Sequence, residues 1–218
     1  LKNHYLIWHL AVLFTMTFPN SSDGNSEWIL KKNKEGITVY VKSNPSFRVK
    51  TFRGIMEVES TLSELVAILK DVENNRNWIY KCKESELLDT VNFWHQFNYY
   101  EIGVTWPYNN RDVIMELKMD QHLPSKEVTI AIENANSYIP NKESLYRIKI
   151  AQGFWKFTPL ESGKIKVTYE LTIDPGKNIP ALLVNGRAVK DPFMTLKKLR
   201  STVMKGAYKG QHYQQIIH

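Results

Sequence analysis

One order of patterns constrains this chain more than any other. A series of strand-like segments is closed by a single long amphipathic stretch. Segments 93–105, 113–119, 127–133, 144–152, 154–160 and 165–173 are rich in β-branched and aromatic residues. Turn residues separate them: Leu123-Pro124-Ser125, Ile139-Pro140-Asn141 and Glu161-Ser162-Gly163. Asp174-Pro175-Gly176 stops the last strand, and Pro180 suits a first helical position. Leu182, Leu183, Val189, Phe193, Met194, Leu196, Leu199, Val203 and Met204 then line one helical face. Lys190, Lys197, Lys198, Arg200 and Lys205 occupy much of the other. Asp191-Pro192 is expected to kink or interrupt this helix. The apolar stripe must be buried, and the concave face of a curved sheet is the place for it.

The first half fits the same plan. Residues 37–41 and 47–59 form strand patterns, with Asn44-Pro45 as the turn between them. Residues 27–34 suit a short helix ended by Gly36. Ser60 or Thr61 caps another helix, because Glu64 stands at capping-box spacing from Thr61. Leu62, Leu65, Val66 and Leu69 recur at helical intervals, and residues 74–83 give a second helical stretch carrying Trp78. Strands in runs with segregated helices predict an α+β fold with an antiparallel sheet. A chain of 218 residues, 43% hydrophobic, suffices for one domain with a substantial core.

The first residues stand apart. Lys2 precedes an apolar run over 5–18, broken by His9 and two threonines, and Pro19 to Gly24 end it. This pattern predicts a signal peptide or N-terminal anchor over 1–24: a signal peptide implies export, periplasmic or secreted, and otherwise the protein is membrane-anchored or cytoplasmic. The run is short of the ~20 apolar residues that a membrane span needs. A domain over 25–210 and a tail over 211–218 complete the expected organisation.

The net charge of +7 favours anionic partners such as lipid head groups or nucleic acid. The basic residues are spread along the chain and form no nucleic-acid motif, so no nucleic acid is expected. Cys82 is the single cysteine; it excludes an intramolecular disulfide and suits a partly buried, inert thiol on or beside a helix. His-Glu-x-x-His, Cys-x-x-Cys, Gly-x-Ser-x-Gly, phosphate-loop and dinucleotide spacings are absent. His95, His122 and His212 lie far apart in sequence. These spacings imply no metal, no cofactor and no local catalytic motif.

Two features carry the functional reading. Phe93, Trp94, Phe97, Tyr99, Tyr100, Trp106, Tyr108, Phe154, Trp155 and Phe157 cluster in the central strands. They can fill a core, or line a cavity if the sheet curls around a helix. The second feature is the turn Trp106-Pro107-Tyr108-Asn109-Asn110-Arg111-Asp112. Arg111 can be a polar group in such a cavity, or half of an ion pair with Asp112 or another acid, since a buried Arg needs a partner.

Residues 28–208 resemble the START (steroidogenic-acute-regulatory-related lipid-transfer) family. Trp28 with Lys34-Glu35-Gly36-Ile37-Thr38-Val39-Tyr40 is similar to its opening elements. Residues 65–71 with Trp78 resemble its two small helices, and Trp106-Pro107 with Arg111-Asp112 its central turn. Residues 153–159 and Lys166-Val167-Thr168-Tyr169 resemble its last strands. Asp174-Pro175-Gly176, Ile179-Pro180 and Leu183-Val184-Asn185 resemble the lead into its final helix. The resemblance implies a helix-grip fold: a curved antiparallel sheet around a long C-terminal helix. It implies a lipid-sized cavity between them, without a catalytic centre. The helix from Pro180 and the loop near 134–142 would form its lid. The expected lining is Phe97, Tyr99, Trp106, Arg111, Leu183, Phe193, Met194 and Leu196. The expected partners are a lipid or other hydrophobic small molecule and, transiently, an anionic membrane surface. The buried acid–base pair of sterol-binding members is not found; Asn98 and Leu117 fall near its place. The alternative is a cyclase- or hydrolase-like enzyme on the same cup, using a titratable pair drawn from His95, Glu101 and Arg111. A third reading is a nucleic-acid or protein binding module using the basic helix.

Overall fold

The structure, a computed structural model, describes residues 27–43, 47, 49–176 and 179–218. The leader expected over 1–24 and the Asn44-Pro45 turn lie outside the described residues. Strands β1 (Ile29–Lys34), β2 (Ile37–Lys42) and β3 (Thr51–Val58) come first, followed by helices α1 (Leu62–Lys70) and α2 (Val72–Trp78). Strands β4 (Cys82–Asn92), β5 (His95–Ile102), β6 (Arg111–His122) and β7 (Glu127–Asn134) follow. Then come β8 (Tyr146–Arg147), β9 (Ile150–Pro159) and β10 (Ile165–Asp174), and the long helix α3 (Ala181–Lys205). Among the described residues these ten strands form one open sheet, in the order β1-β2-β3-β10-β9-β7-β6-β5-β4. Every pairing on that path is antiparallel, and β8 pairs with β6 in parallel. This is the expected helix-grip arrangement.

Side chains alternate across a strand, so register decides which residues meet α3. One inward row runs Val41, Phe52, Leu171, Gly153, Ile132, Leu117, Gln96 across seven strands. Phe193, Leu196 and Leu199 of α3 are buried in the same core as Phe52, Leu171, Leu117 and Ile132. Two glycines fix the closest approaches. A Cβ on Gly54 would lie 2.6 Å from Leu196 Cδ1, so the helix rests directly on β3 there. A Cβ on Gly153 would lie 2.0 Å from the Glu170 carbonyl oxygen, so only glycine fits where β9 meets β10.

Thr61 caps α1 as expected: its hydroxyl accepts from the Glu64 amide at 3.2 Å, and the Glu64 carboxylate accepts from the Thr61 amide at 3.1 Å. Other elements differ from expectation. Residues 29–34 form β1, not a helix. Glu35 (φ 54°) and Gly36 (φ 66°) make a two-residue hairpin turn, pairing Lys34 with Ile37. The helix expected over 74–83 ends at Trp78, and Cys82 begins β4. β4 pairs only with β5 at the sheet edge and is mostly exposed, so it carries no apolar alternation. Phe93 and Trp94 form the β4–β5 hairpin turn, not the start of a strand. Helix α3 runs unbroken through Pro192.

Beyond α3 the chain turns at Gly206 (φ 71°) and packs back on the domain. Tyr208 donates its hydroxyl proton to Asp71 at 2.6 Å. The backbone of Ile217 exchanges hydrogen bonds with the Gln121 amide at 2.8 and 2.9 Å, and Ile216 is buried. Residues 211–218 are thus a docked segment.

Candidate functional site

Two adjoining pockets lie between α3 and the sheet. The outer one sits under the first turns of α3. Ile102, Val104, Ile173, Ile179 and Val184 form its apolar wall; Lys50, Arg111, Arg187 and Asp191 supply its charges. The inner one lies deeper, among Tyr100, Met115, Leu117, Ile132, Trp155, Tyr169 and Leu171. Phe52, Ile102, Ile173 and Asp191 line both. Each encloses about 100 Å³, less than the ~300–1,000 Å³ of small-molecule pockets. A larger groove of about 560 Å³ lies at the far end of α3. Glu57, Glu59, Lys164, Arg200 and Lys209 surround it, so it is a charged surface cleft rather than an apolar container.

Aromatic rings pack against one another in the pocket walls. Trp155 stacks on Tyr169 with centroids 3.8 Å apart, and Phe52 meets Tyr169 edge-on at 5.0 Å. A hydrogen-bonded ladder covers the β5 side. Lys70 Nζ donates to Gln96 Oε1 (3.2 Å), Gln96 Nε2 to Asn98 Oδ1 (2.9 Å), and Asn98 Nδ2 to the Tyr100 hydroxyl (2.9 Å). Asn75 Nδ2 also donates to that hydroxyl, at 3.2 Å. Burial pushes the Tyr100 hydroxyl pKa up to about 12, so it stays neutral. The ladder satisfies polar groups that would otherwise be costly to bury. Asn98 and Leu117 both face inward here, a neutral amide and an apolar side chain.

Arg111 and Asp191 are the charged groups of interest. Arg111 is 3 % exposed. Its Nε donates to the Pro175 carbonyl at 3.1 Å, its Nη1 to the Asn109 carbonyl, and its guanidinium lies 5.1 Å from the Tyr146 ring centroid. Burial, together with the nearby Arg187 charge, lowers its pKa. Its chain neighbour Asp112 pairs instead with Arg147, at 2.9 Å. Asp191 accepts from Arg187 Nε at 2.8 Å, one helical turn away. Its other oxygen, Oδ1, is buried without a hydrogen-bond partner, and burial raises its pKa.

Of the eight residues expected to line a cavity, Arg111 alone lines either pocket. Phe97 and Tyr99 sit one position out of phase with inward-facing Gln96, Asn98 and Tyr100, so they lie on the outer face of the sheet. Tyr138 stacks on Phe97 at 4.3 Å, and Lys142 Nζ lies 4.0 Å from the Tyr99 ring centroid. The loop expected as a lid near 134–142 is therefore on the wrong face to close the pockets. Arg147 holds it there through the carbonyls of Asn136, Ile139 and Pro140. Trp106 is 88 % exposed on the β5–β6 loop, where the Trp106–Pro107 bond is cis. Leu183 is 52 % exposed because the first turn of α3 has sheet on one side only. Phe193, Leu196 and Met194 pack into the main core beside the pockets. Lys32 Nζ stands 3.7 Å from the Phe193 ring centroid.

Asp191 and Arg187 escaped the sequence reading. The available signal was spacing: Val184, Ala188, Asp191 and Thr195 recur at helical intervals on the pocket face. The titratable groups of the enzymatic alternative are not brought together. His95 bonds Glu116 at 2.8 Å, Glu101 accepts from Asn110 at 2.7 Å, and Arg111 lies at the other end of β5–β6 from His95. Cys82 is buried at the start of β4, and burial pushes its thiol up to about 12. Among the described residues no group of three or more His, Cys, Asp or Glu side chains is placed to hold a metal ion. No described helix is long and apolar enough to cross a membrane.

No protein-family model matches the chain. A crystal structure of the STAR-related lipid transfer protein from Xanthomonas axonopodis (fragment 25–204) is 32% identical. It covers 81% of this chain and 98% of its own, with a TM-score of 0.76. An uncharacterised protein of Pseudomonas aeruginosa is 29% identical over 202 residues, 91% of this chain and 98% of its own. Human StAR-related lipid transfer protein 5 shares the fold at 14% identity, with a TM-score of 0.71, over 84% of this chain and 89% of its own.

Proposed function

Because the chain belongs to the START, or STAR-related lipid transfer, family, we propose that it binds one hydrophobic small molecule between α3 and the sheet and carries it between membranes. The observation that carries this reading is the pair of adjoining apolar pockets under α3. As they stand they are too small for a lipid, so loading involves outward movement of the first turns of α3. Burying a chain there contributes about 0.8 kcal/mol per methylene. The protein acts as a carrier, not a catalyst.

Membrane contact is assigned to the end of the molecule beside the outer pocket. Val104 and Tyr108 of the β5–β6 loop pack with Val49, Ile179 and Val184. Between and beside those residues, Trp106, Leu182 (83 % exposed) and Leu183 face solvent. An indole suits the interface of a bilayer, and the basic net charge favours an anionic one. The Lys2-to-Gly24 pattern supports an exported carrier, which N-terminal sequencing of the mature protein tests.

Native mass spectrometry of the purified protein, followed by organic extraction, tests ligand binding. A bound apolar molecule, and its uptake from labelled vesicles, is the expected result. An empty protein that takes up nothing from vesicles overturns the reading.

A further inference from the structure

Arg111 is buried, yet no carboxylate among the described residues forms an ion pair with it. Asp112 is held by Arg147, and Asp191, which lines the same pocket, by Arg187. A buried charge is costly unless something compensates it. Two backbone carbonyls and the Tyr146 ring do so in part. Its Nη2 has no hydrogen-bond partner among the described residues. Lys50 and Arg187 add positive charge to the lining, and Asp191 is its one acid among the described residues. The rest of the wall is apolar. The outer pocket therefore pairs a cationic group with an apolar enclosure, and it continues past Phe52, Ile102 and Ile173 into the inner pocket, which has no basic residue and shares Asp191 as its one charged group among the described residues.

Resting on the carrier reading above, we propose that the ligand is a single-chain amphiphile with an anionic oxygen head group, a carboxylate or phosphate bound by Arg111, whose chain enters the inner pocket. A planar guanidinium matches such oxyanions, and charge-assisted hydrogen bonds are the strong ones. The anion supplies a counter-charge that no described residue gives Arg111. Burial and Arg187 both weaken the hold of Arg111 on its proton, an effect that a bound anion reverses. A cationic head would instead meet Arg111, Arg187 and Lys50. One chain, rather than two, is assigned because it asks for the smaller opening of closed pockets that enclose about 100 Å³ each.

The test is calorimetric titration of the full chain with dodecanoate, dodecyl phosphate, 1-dodecanol and dodecyltrimethylammonium, the ionic probes below their micelle concentrations and the alcohol below its solubility limit. At least one anion is expected to bind on the order of tenfold more tightly than the alcohol, as a hydrogen bond to a charged group would give. The ammonium probe is expected to bind weakest. Whichever anion is tighter names the source of the head group. Arg111→Gln should bring the anions down to the affinity of the alcohol, while Arg111→Lys keeps part of the preference. If Arg111→Gln does not fold, Arg187→Gln, which removes the second guanidinium of the pocket, should reduce the same preference. Equal affinity for dodecanoate, dodecyl phosphate and dodecanol overturns the head-group assignment and leaves the carrier reading standing. Binding of none of the four overturns both.

Discussion

Asp112 gives both carboxylate oxygens to Arg147, 35 positions further on, and neither to its neighbour Arg111. The distances are 3.0 Å from Nε to Oδ1 and 2.9 Å from Nη2 to Oδ2. Adjacent residues of a strand face opposite sides of the sheet. Asp112 thus clamps the loop on the outer face, while Arg111 is left to the pocket.

That clamp sets the first prediction. Asp112→Asn leaves the Arg147 guanidinium buried and unpaired, at a cost of about 3–5 kcal/mol. Arg147→Met should destabilise comparably, and the double variant by less than the sum of the two. Guanidinium chloride unfolding measures all three. A wild-type midpoint for Asp112→Asn would show that the pair is not a structural clamp.

Gly153→Ala places a methyl group against the Glu170 backbone, which cannot yield without parting β9 from β10. The expected loss is at least ~1–3 kcal/mol, as for overpacking. Gly54→Ala meets only the flexible end of Leu196 and should cost less. Thermal unfolding ranks the two, and the reverse order would contradict the geometry.

Trp106→Ala removes a side chain that is 88 % exposed, so stability should change by less than about 0.5 kcal/mol. Transfer of a labelled lipid between anionic vesicles should slow, while ligand retention in solution should not change. Unaltered transfer would remove Trp106 from the membrane-facing surface.

Asp191 makes stability depend on pH. Burial raises its pKa in the folded protein above the ordinary 3.8. Between those two values the folded state binds more protons than the unfolded one, so stability rises as pH falls through the folded pKa. The gain is complete once pH is below the unfolded value. Asp191→Asn should therefore be more stable than wild type at pH 7, with the advantage fading toward about pH 4. Urea midpoints from pH 4 to 8 give the profile. A difference that does not vary with pH would assign the effect to packing instead.

The sequence carried the architecture through local chemistry. The Thr61–Glu64 capping box, the Asp174-Pro175-Gly176 stop and the middle of the α3 stripe, Phe193, Leu196 and Leu199, do in the structure what their residue types dictate, whereas Leu182, Leu183 and Met204 at the ends of the stripe face solvent. β4 was invisible because an edge strand faces water, and residues such as Glu84, Glu86 and Asp89 mask its period. β1 was hidden by a Glu35-Gly36 turn whose left-handed backbone only the structure displays. The site was less legible. Phe97, Tyr99 and Tyr100 are the large aromatic residues of β5, yet only Tyr100 lines a pocket, because inward placement depends on parity, which is set by pairing with β6. Asp191 resembled half of a helix break, since Pro192 follows it, and its role emerges only where α3 crosses Phe52 and Ile173. Arg111 was legible as a buried charge, but the identity of its partner depends on which face of the sheet Asp112 occupies.

The docked segment beyond Gly206 gives α3 a lever's geometry. Its far end is fastened through Tyr208 to Asp71 and through Ile217 to Gln121. Its near end begins at Pro180 with no side-chain cap. With 25 residues at about 1.5 Å each, the arm is ~37 Å long. A rotation of about 6° at Gly206 carries Pro180 through roughly 4 Å, close to the width of one hydrocarbon chain. The opening proposed above would thus ask for the least displacement at the fastened end and the most at the end where the pockets lie.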